Sequence, residues 1–213
     1  MSGNKTAAIT PTDWDQYYRS TSFFSRFTRP AICGALVRAL QRYSAPNPSI
    51  AELGGAGSCA LETVRRIIKP SVYHVIDANE LGLELLVDKA ADDNLRLHRQ
   101  DVLNLDLDLQ LDTVFSLGLI EHFDIDGTSQ AVRSHLKLLK HGGIAVVTFP
   151  TPTLRYRTTR LAIQLAGKWV FHDERPLRVP EVRAAVGGLG RVLDHWLIWN
   201  IPLTQRLMVI QKY

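Results

Sequence analysis

The sequence Ser49-Ile50-Ala51-Glu52-Leu53-Gly54-Gly55-Ala56-Gly57-Ser58 decides how the rest of this chain is interpreted. Residues 49–53 follow two prolines and form a short, largely apolar run, which predicts a buried strand. Residues 58–69 place apolar side chains at helical spacing and stop before Pro70, which predicts a helix. Glycine permits a sharp turn and the close approach of a ligand, which the free N–H groups of the helix would face. The stretch therefore predicts a site for a nucleotide-like cofactor, although an ordinary strand-turn-helix unit has the same pattern.

The spacing of the glycines indicates which cofactor the turn suits. Dinucleotide-binding chains have the pattern G-x-G-x-x-G after the strand, and Gly54, Gly55 and Gly57 do not meet it. Glu52 places a carboxylate at the strand end, where it would face a cationic or hydrogen-donating group. The ammonium group of a methionine moiety fits that description, and a pyrophosphate does not. The alternative is that Glu52 is a solvated turn residue.

The length and composition are typical of a soluble globular protein with one domain. The chain has 213 residues, of which 46% are apolar and 22% are charged, and this length allows a sizeable core. It contains no run of roughly 18 apolar residues that would span a bilayer. Residues 1–12 lack an apolar export segment, so we expect a cytoplasmic location. Cys33 and Cys59 have no metal-ligand spacing, so we expect two buried thiols, no disulfide and no metal.

Acidic residues follow two further predicted strands. A strand over residues 72–76 ends at Asp77, 23 residues after Gly54, where an acid commonly binds ribose hydroxyls. The alternative role for Asp77 is a loop cap. Asp101 follows a third strand over residues 95–97 and would accept a hydrogen bond from an exocyclic amine such as that of adenine. The two acids are therefore predicted to lie along one edge of a sheet.

Two buried runs predict the fourth and fifth strands, over residues 113–117 and 144–149. The fourth leads into Gly118-Leu119-Ile120-Glu121-His122, which places a glycine and two polar groups at the same sheet edge. Residues 190–199 and 204–212 predict a closing antiparallel pair on an otherwise parallel sheet. The fold class predicted from this order is α/β.

Two segments outside the predicted core are candidates for contact with a substrate. Residues 14–27 are rich in aromatic side chains, which would either pack in the core or form a flap over the cofactor site. Residues 154–171 alternate basic and apolar side chains and predict a basic amphipathic helix. Its Arg155 and Arg157 would meet a phosphate or carboxylate, or contact a membrane surface. A solvated basic face is the simpler alternative.

The motifs in order resemble the class I S-adenosylmethionine-dependent methyltransferases, in the branch related to ubiquinone-biosynthesis methyltransferases. The resemblance covers about residues 45–150 and is carried by five segments: residues 52–57, Asp77, residues 100–102, residues 116–123 and residues 138–143. It implies a Rossmann-like, doubly wound, mostly parallel seven-stranded sheet with an antiparallel C-terminal pair. Residues 1–213 would form a single methyltransferase domain, with a helical and aromatic lid (1–45), a cofactor-binding core (46–150), a helical insertion (151–180) and closing strands (181–213).

The resemblance also implies roles for individual residues around the cofactor S-adenosylmethionine. The implied cofactor-binding residues are Glu52, Leu53, Gly54, Gly55, Gly57, Asp77, Ala78, Asp101, Val102, Leu117 and Gly118. The implied substrate or lid residues are Tyr17, Tyr18, Glu121, Arg155 and Arg157. Ala56 and Ser58 stand where the family often has glycines, and their small side chains are tolerable there.

The implied reaction is an in-line displacement, in which the protein aligns the acceptor and excludes water. His122 is the candidate general base, with shaping of the pocket as its alternative role. We expect a small-molecule or lipid-like acceptor, with peripheral membrane contact through residues 154–171. Nucleic acid is a less favoured partner, because the aromatic and arginine residues do not form a stacking groove. The competing functions are a methyltransferase-like binding domain without catalysis and an NAD-dependent oxidoreductase.

Overall fold

The computed structural model describes residues 11–19, 23–87, 94–199 and 201–213, with the side chains of residues 23–27 left out. Seven strands form one sheet in the order β3-β2-β1-β4-β5-β7-β6. The strands are β1 Ser49–Leu53, β2 Val72–Asp77, β3 Leu95–Arg99, β4 Leu111–Leu117, β5 Leu139–Pro150, β6 Gly190–Ile198 and β7 Gln205–Lys212. The helices are α1 Trp14–Arg19, α2 Phe23–Tyr43, α3 Leu61–Ile68, α4 Glu80–Glu84, α5 Ile125–Lys137, α6 Leu154–Leu165 and α7 Val179–Val186.

The pairing of the strands confirms the predicted sheet. β1 pairs in parallel with β2 on one side and with β4 on the other, so that Glu52 lies beside Val75 and Phe115. β5 and β7 pair antiparallel, as do β7 and β6. The strand order reverses at β1, and open α/β sheets bind ligands in the crevice outside the strand ends at such a point.

Helices cover both faces of the sheet, and successive strand residues alternate between them. On β5, Val146 packs in the cluster that contains residues of α2 and α3, whereas Ala145 and Val147 pack in the cluster that contains residues of α5 and α7. Both clusters consist of buried apolar side chains from the helices and the strands. The two cores hold the strand ends in place, and therefore hold the edge where the polar residues gather.

Several element boundaries differ from the sequence-based expectations for local reasons. The helix expected from residue 58 begins at Leu61, because Ser58 Oγ accepts hydrogen bonds from the backbone N–H groups of Ala60 and Leu61. The pattern of residues 129–140 predicts a helix with Asp126 or Thr128 as its cap, but α5 begins at Ile125, because the Asp124 side chain accepts from Gly127 N at 2.8 Å and is the N-cap. The basic helix expected to reach residue 171 ends at Leu165, before a glycine with φ of +65°.

The bounds of α2, α4 and the end of α5 also differ from those expected from the sequence. The apolar spacing of residues 30–43 predicts a helix, and α2 begins earlier, at residue 23, with Pro30 inside it. The pattern of residues 80–90 also predicts a helix; α4 ends at Glu84, and residues 88–90 lie outside the described residues. α5 ends at Lys137, because Leu139 pairs with Leu111 and joins β5.

The two cysteines are free, as predicted, and lie close together between α2 and the turn after β1. Cys33 Sγ lies 3.3 Å from Cys59 Sγ. Within the ranges that the structure describes, no helix combines the length and apolar character needed to cross a membrane.

Replacing Asp112 by alanine is expected to lower the free energy of unfolding by about 1–2 kcal/mol, because Ser49 loses two hydrogen bonds that tie β1 to β4. Asp112 Oδ2 accepts from Ser49 N at 2.8 Å and from Ser49 Oγ at 2.7 Å. Partial burial acts to raise the pKa of Asp112, but the bonds from Lys140 and Ser49 outweigh burial and lower it. The stabilisation is therefore present above the ordinary carboxyl pKa and is lost as the pH falls through the lowered value.

Urea unfolding at neutral and at acidic pH measures this loss. Lys140→Met is the matched control, because it removes only the ion pair between Lys140 Nζ and Asp112 Oδ1. Both side chains of that pair are partly exposed, so we expect a loss below about 1 kcal/mol. Equal losses in the two variants would contradict the role assigned to the Ser49 bonds.

Candidate functional site

A cavity of about 510 Å³ lies at the carboxyl ends of β1, β2 and β4, beneath α1. Its lining includes nine residues predicted to bind the cofactor: Glu52, Gly54, Gly57, Asp77, Ala78, Asp101, Val102, Leu117 and Gly118. It also includes Tyr17, Tyr18 and Glu121, which were predicted to contact the substrate or form a lid, and the predicted general base His122. Residues from four sheet segments and from the N-terminal helix therefore meet in one crevice. Trp14, Tyr17 and Tyr18 of α1 line the crevice, whereas the side chains of residues 23–27 in the same aromatic segment lie outside the described residues.

The turn after β1 is closed tightly by its glycines. Gly54 has φ of +69°, and its N–H donates to the carbonyl of Ile76 at 2.9 Å. A Cβ atom at Gly54 would lie 2.9 Å from Leu119, and one at Gly55 would lie 2.8 Å from Glu52 Cγ. Gly118, at the end of β4, also has a positive φ, of +68°. Glycine is therefore required at Gly54 and Gly118, and the backbone lies close to the cavity at both points.

Glu52 is held by two hydroxyl groups at the end of β1. Its Oε2 accepts from Ser58 Oγ at 2.7 Å and from Tyr73 Oη at 2.6 Å. The side chain is 2% exposed, and burial raises the pKa of Glu52 to about 7 despite the two hydrogen bonds, which lower it. Glu52 is not the solvated turn residue of the alternative reading. Ser58 both donates to this carboxyl and accepts from the N–H groups of Ala60 and Leu61 at the start of α3, which explains why a serine suits the position.

Asp77 is fixed by the backbone on both oxygens. Oδ2 accepts from Ala56 N at 3.0 Å, and Oδ1 accepts from Asn79 N at 2.9 Å. Burial raises the pKa of Asp77, and these N–H groups and the hydroxyl of Tyr18 only partly oppose the rise. The Tyr18 ring lies between Gly57 and the α4 residue Gly82, where added Cβ atoms would approach it to 2.5 and 2.8 Å. The carboxylate therefore faces the cavity in a fixed orientation.

Asp101 lines the same cavity at the end of β3 and begins a short 3-10 turn. Its Oδ1 accepts from Leu103 N at 2.9 Å, and its Oδ2 accepts from Asn104 Nδ2 at 3.1 Å. Glu52, Asp77 and Asp101 thus stand at the ends of three neighbouring strands and border one cavity.

His122 is paired with an acid that the sequence reading missed. His122 Nδ1 lies 2.8 Å from Asp173 Oδ1, and Asp173 Oδ2 accepts from Thr12 N at 2.9 Å. Burial acts to lower the pKa of His122, but Asp173 and Glu121 outweigh it and raise the pKa. The pKa of Asp173 is held well below its usual range by His122 and Thr12, against partial burial. The indole of Trp14 packs edge-on to the imidazole, with the ring centroids 4.9 Å apart.

A second acidic group lies beside this pair. The Tyr156 hydroxyl donates to Glu174, and Arg160 Nη1 lies 3.0 Å from the same hydroxyl. Burial raises the pKa of Glu174, and the bond from Tyr156 lowers it only in part. Glu121 is 1% exposed, and burial raises its pKa to about 8 although His122 acts to lower it. This end of the cavity is therefore acidic, with aromatic side chains around it.

Four of the predicted site residues do not contribute side chains to the cavity. Leu53 is fully buried in the core, and Gly55 packs against Glu52, so both support the turn from behind. Arg155 and Arg157 are exposed and lie outside the cavity lining, which corrects their assignment to the substrate side. The reason is that α6 buries Tyr156 between them, and Arg155 Nη1 bonds instead to the carbonyl of Trp199 at 2.6 Å.

Asp173, Glu174, Tyr156 and Phe171 line the cavity and were not predicted from the sequence. Tyr156 had a usable signal, because it lies seven residues before Ile163 and the two share the buried face of α6. The acids of residues 173–174 had none, since they lie in an irregular segment far along the chain from His122.

Comparisons with known proteins bear on this site. Residues 50–143 match the family described as a methyltransferase domain. No curated protein sequence matches the chain.

Solved structures resemble the fold at low sequence identity. Magnesium protoporphyrin IX methyltransferase from Synechocystis PCC 6803, with bound SAH, aligns at a TM-score of 0.69 and 13% identity over 94% of each chain. The N-methyltransferase NodS from Bradyrhizobium japonicum, also in complex with SAH, aligns at 0.63 and 13% identity over 93% of this chain and 92% of that one. A chain of the Haloferax volcanii complex between the Trm112 methyltransferase activator and a putative methyltransferase aligns at 0.71 and 14% identity, over 95% and 99%.

These structures share the fold, and the matched residues 50–143 include β1 to β4 and the turns that follow these strands. The first two hold SAH, the demethylated product of S-adenosylmethionine. Residues 50–143 therefore resemble a methyltransferase domain, and the chain as a whole has the fold of these solved structures.

Proposed function

We propose that this protein transfers the methyl group of S-adenosylmethionine to a small-molecule or lipid-like acceptor. The observation that supports this most is the single cavity, with three strand-end acids at one end and the His122–Asp173 pair at the other. Bound S-adenosylmethionine supplies an activated methyl group on a sulfonium, so the acceptor attacks it in line. The motif order further favours the branch related to ubiquinone-biosynthesis methyltransferases, which we include in the proposal.

The residues at the cofactor end suit this donor. Asp77 would accept hydrogen bonds from ribose hydroxyls, and Asp101 from the adenine amine, with Ala78 and Val102 beside the base. Glu52 and the turn from Gly54 to Gly57 would hold the methionine end, and Leu117 and Gly118 would border the sulfonium. Gly54 and Gly118 leave space where a side chain would clash or strain the backbone, and this is the kind of cradle that such a ligand needs.

His122 is proposed to accept a proton from the acceptor. The hydrogen bond that His122 Nδ1 donates to Asp173 orients the imidazole and favours its protonated form, which makes His122 a stronger base than a free histidine. Trp14 and Tyr17 cover this end of the cavity and would exclude water during transfer.

Labelled methyl transfer tests the proposal. The protein should bind SAH and not NAD in calorimetric titrations, which separates a methyltransferase from an oxidoreductase. It should then transfer the methyl group of labelled S-adenosylmethionine to members of an acceptor library. Binding of SAH without transfer to any acceptor would favour a binding domain without catalysis.

The acceptor is proposed to arrive at a membrane surface through α6. Leu154, Leu161 and Leu165 lie within about 20° of one helical direction, and Tyr156 and Ile163 lie about 180° away, at 3.6 residues per turn. The two opposite residues are buried, whereas Leu154 and Leu165 are 79% and 80% exposed. Residues 154–171 contain four Lys and Arg and no Asp or Glu, so charge complementarity favours an anionic lipid surface.

The double variant Leu161→Glu with Leu165→Glu is expected to weaken sedimentation with vesicles of phosphatidylcholine and phosphatidylserine by about tenfold or more, because two exposed leucines no longer enter the lipid. The matched control is Leu189→Glu, an exposed leucine outside α6. High salt should release the wild-type protein. If the wild-type protein does not bind anionic vesicles at low salt, the proposed membrane contact is wrong. It is also wrong if the double variant changes its oligomeric state and this change explains its weaker sedimentation with vesicles.

A further inference from the structure

Two buried hydrogen-bond acceptors in the cavity lining lack a partner. They are Glu121 Oε2 and Gln205 Oε1. Among the described residues the one other such buried side-chain atom is Arg206 Nε, which does not line this cavity. A buried acceptor without a donor is costly, and native structures rarely leave one without a reason. We therefore expect a bound ligand to supply the hydrogen-bond donors that these two acceptor atoms lack.

The two acceptors lie near the ends of β4 and β7, which are two strands apart in the sheet. Glu121 follows β4, and its Oε1 lies 3.2 Å from the position of a Cβ at Gly118. Gln205 begins β7 and pairs with Pro150 at the end of β5. β5 alone separates β4 from β7, so the two backbones are about 10 Å apart. One small molecule beside Gly118 can reach both side chains.

The charges around Glu121 favour a cationic donor over a neutral one. Asp173 already has hydrogen-bond partners in His122 and Thr12, and Glu174 accepts from Tyr156 and has Arg160 at 3.8 Å. Glu121 has no such partner on Oε2. Its raised pKa, about 8, reflects burial, with Glu174 and Asp173 also raising it and His122 lowering it. A cation beside this carboxyl would favour its ionised form.

We propose that the methyl acceptor is an amine, whose ammonium group donates to Glu121 Oε2, while Gln205 Oε1 accepts from a further N–H or O–H of the same molecule. This deepens the proposed function and rests on it. The proton balance is complete with residues already described: the ammonium gives one proton to neutral His122 and becomes an amine. The nitrogen lone pair then forms the N–C bond, the S–C bond breaks, and its electron pair stays on sulfur. The methylated ammonium product carries the positive charge.

Three probes of one shape test this inference on the SAH-loaded protein: benzylamine, benzyl alcohol and benzoate. Benzylamine is expected to bind about tenfold or more tightly than benzyl alcohol, because its hydrogen bonds are charge-assisted, and benzoate is expected not to bind. Glu121→Gln keeps the side-chain shape and should reduce the preference for the amine to about twofold or less, with SAH affinity unchanged. Glu84→Gln makes the same substitution at an exposed position outside the cavity and should change neither.

The outcomes separate this inference from the proposal on which it rests. Failure to bind SAH would overturn the proposed function itself. Binding of SAH with equal or absent binding of benzylamine and benzyl alcohol would overturn the amine assignment and leave the methyltransferase proposal standing. A preference for benzylamine that persists in Glu121→Gln would also overturn the assignment, because the recognising group would then lie elsewhere. Labelled methyl transfer to hydroxyl acceptors and not to amines would have the same effect.

Discussion

Replacing Asp77 by alanine is expected to weaken the binding of SAH by about 100-fold. The two ribose hydroxyls are proposed to donate to a charged acceptor, and each such bond contributes about 1.5–3 kcal/mol. A loss of about 2.7 kcal/mol, close to the lower limit for two such bonds, corresponds to about 100-fold in affinity. The variant also leaves the N–H groups of Ala56 and Asn79 without their acceptor, so the turn that shapes the site is loosened. Calorimetric titration with SAH measures the change.

Two further variants separate binding from folding. Asp77→Asn keeps an oxygen acceptor but directs an NH₂ group at one of the backbone N–H groups, so an intermediate loss is expected. Asp108→Asn changes an acid in the connection before β4 that lies outside the cavity lining and should leave SAH affinity unchanged. If Asp77→Ala, with an unaltered circular dichroism spectrum, binds SAH within about twofold of the wild-type protein, the ribose role of Asp77 is wrong.

Replacing Asp173 by asparagine is expected to lower kcat by about 100-fold at neutral pH, the lower range for a general base. The acid orients His122 and raises its pKa, together with Glu121 and against burial. Because His122 must be neutral to accept a proton, the rate should rise with pH as it deprotonates. Without Asp173 the pKa of His122 falls, so the acidic limb of the pH–rate profile should move to lower pH while the plateau drops. A purely structural role would lower the plateau without moving the limb.

Thr12→Val is the control for this variant, because it removes the bond from Thr12 Oγ1 to Asp173 Oδ1, the oxygen that His122 Nδ1 also contacts, and leaves the carboxylate itself in place. It should weaken the contact with α1 and leave the position of the acidic limb within a few tenths of a pH unit. His122→Ala completes the set. An unchanged rate for His122→Ala at saturating cofactor would remove the base assignment, whichever acceptor is used.

The cofactor half of the cavity could be predicted from the sequence because its determinants are local. A strand, a glycine turn and a strand-end acid each lie within a few residues, and parallel strands bring their carboxyl ends to one edge. The antiparallel closing pair followed from the same pattern, whereas the seven-stranded, doubly wound arrangement was implied by the resemblance to methyltransferases. Local competition set the boundaries that were missed: Asp124, and neither Asp126 nor Thr128, caps α5, and the hydrogen bonds to Ser58 delay the start of α3 by three residues.

The acceptor half depends on contacts between distant parts of the chain. Asp173 reaches His122 across 51 positions, and Thr12 reaches Asp173 across 161. No spacing rule links such residues. The amphipathic pattern of α6 was visible, but it offers two faces, and only packing decides that Tyr156 faces the cavity while Arg155 and Arg157 face outward.

The short helix α1 and the residues before it form hydrogen bonds near both ends of the cavity. Asp15 Oδ1 accepts from Asn79 Nδ2 at 2.7 Å near the cofactor end, whereas Thr12 bonds to Asp173 near the acceptor end. The donor and the acceptor are therefore both expected to enter past α1, and α1 cannot move away from the cavity without breaking the hydrogen bonds at both ends. Displacement of α1 is consequently expected to limit the rate of the catalytic cycle, so that release of SAH is slower than methyl transfer.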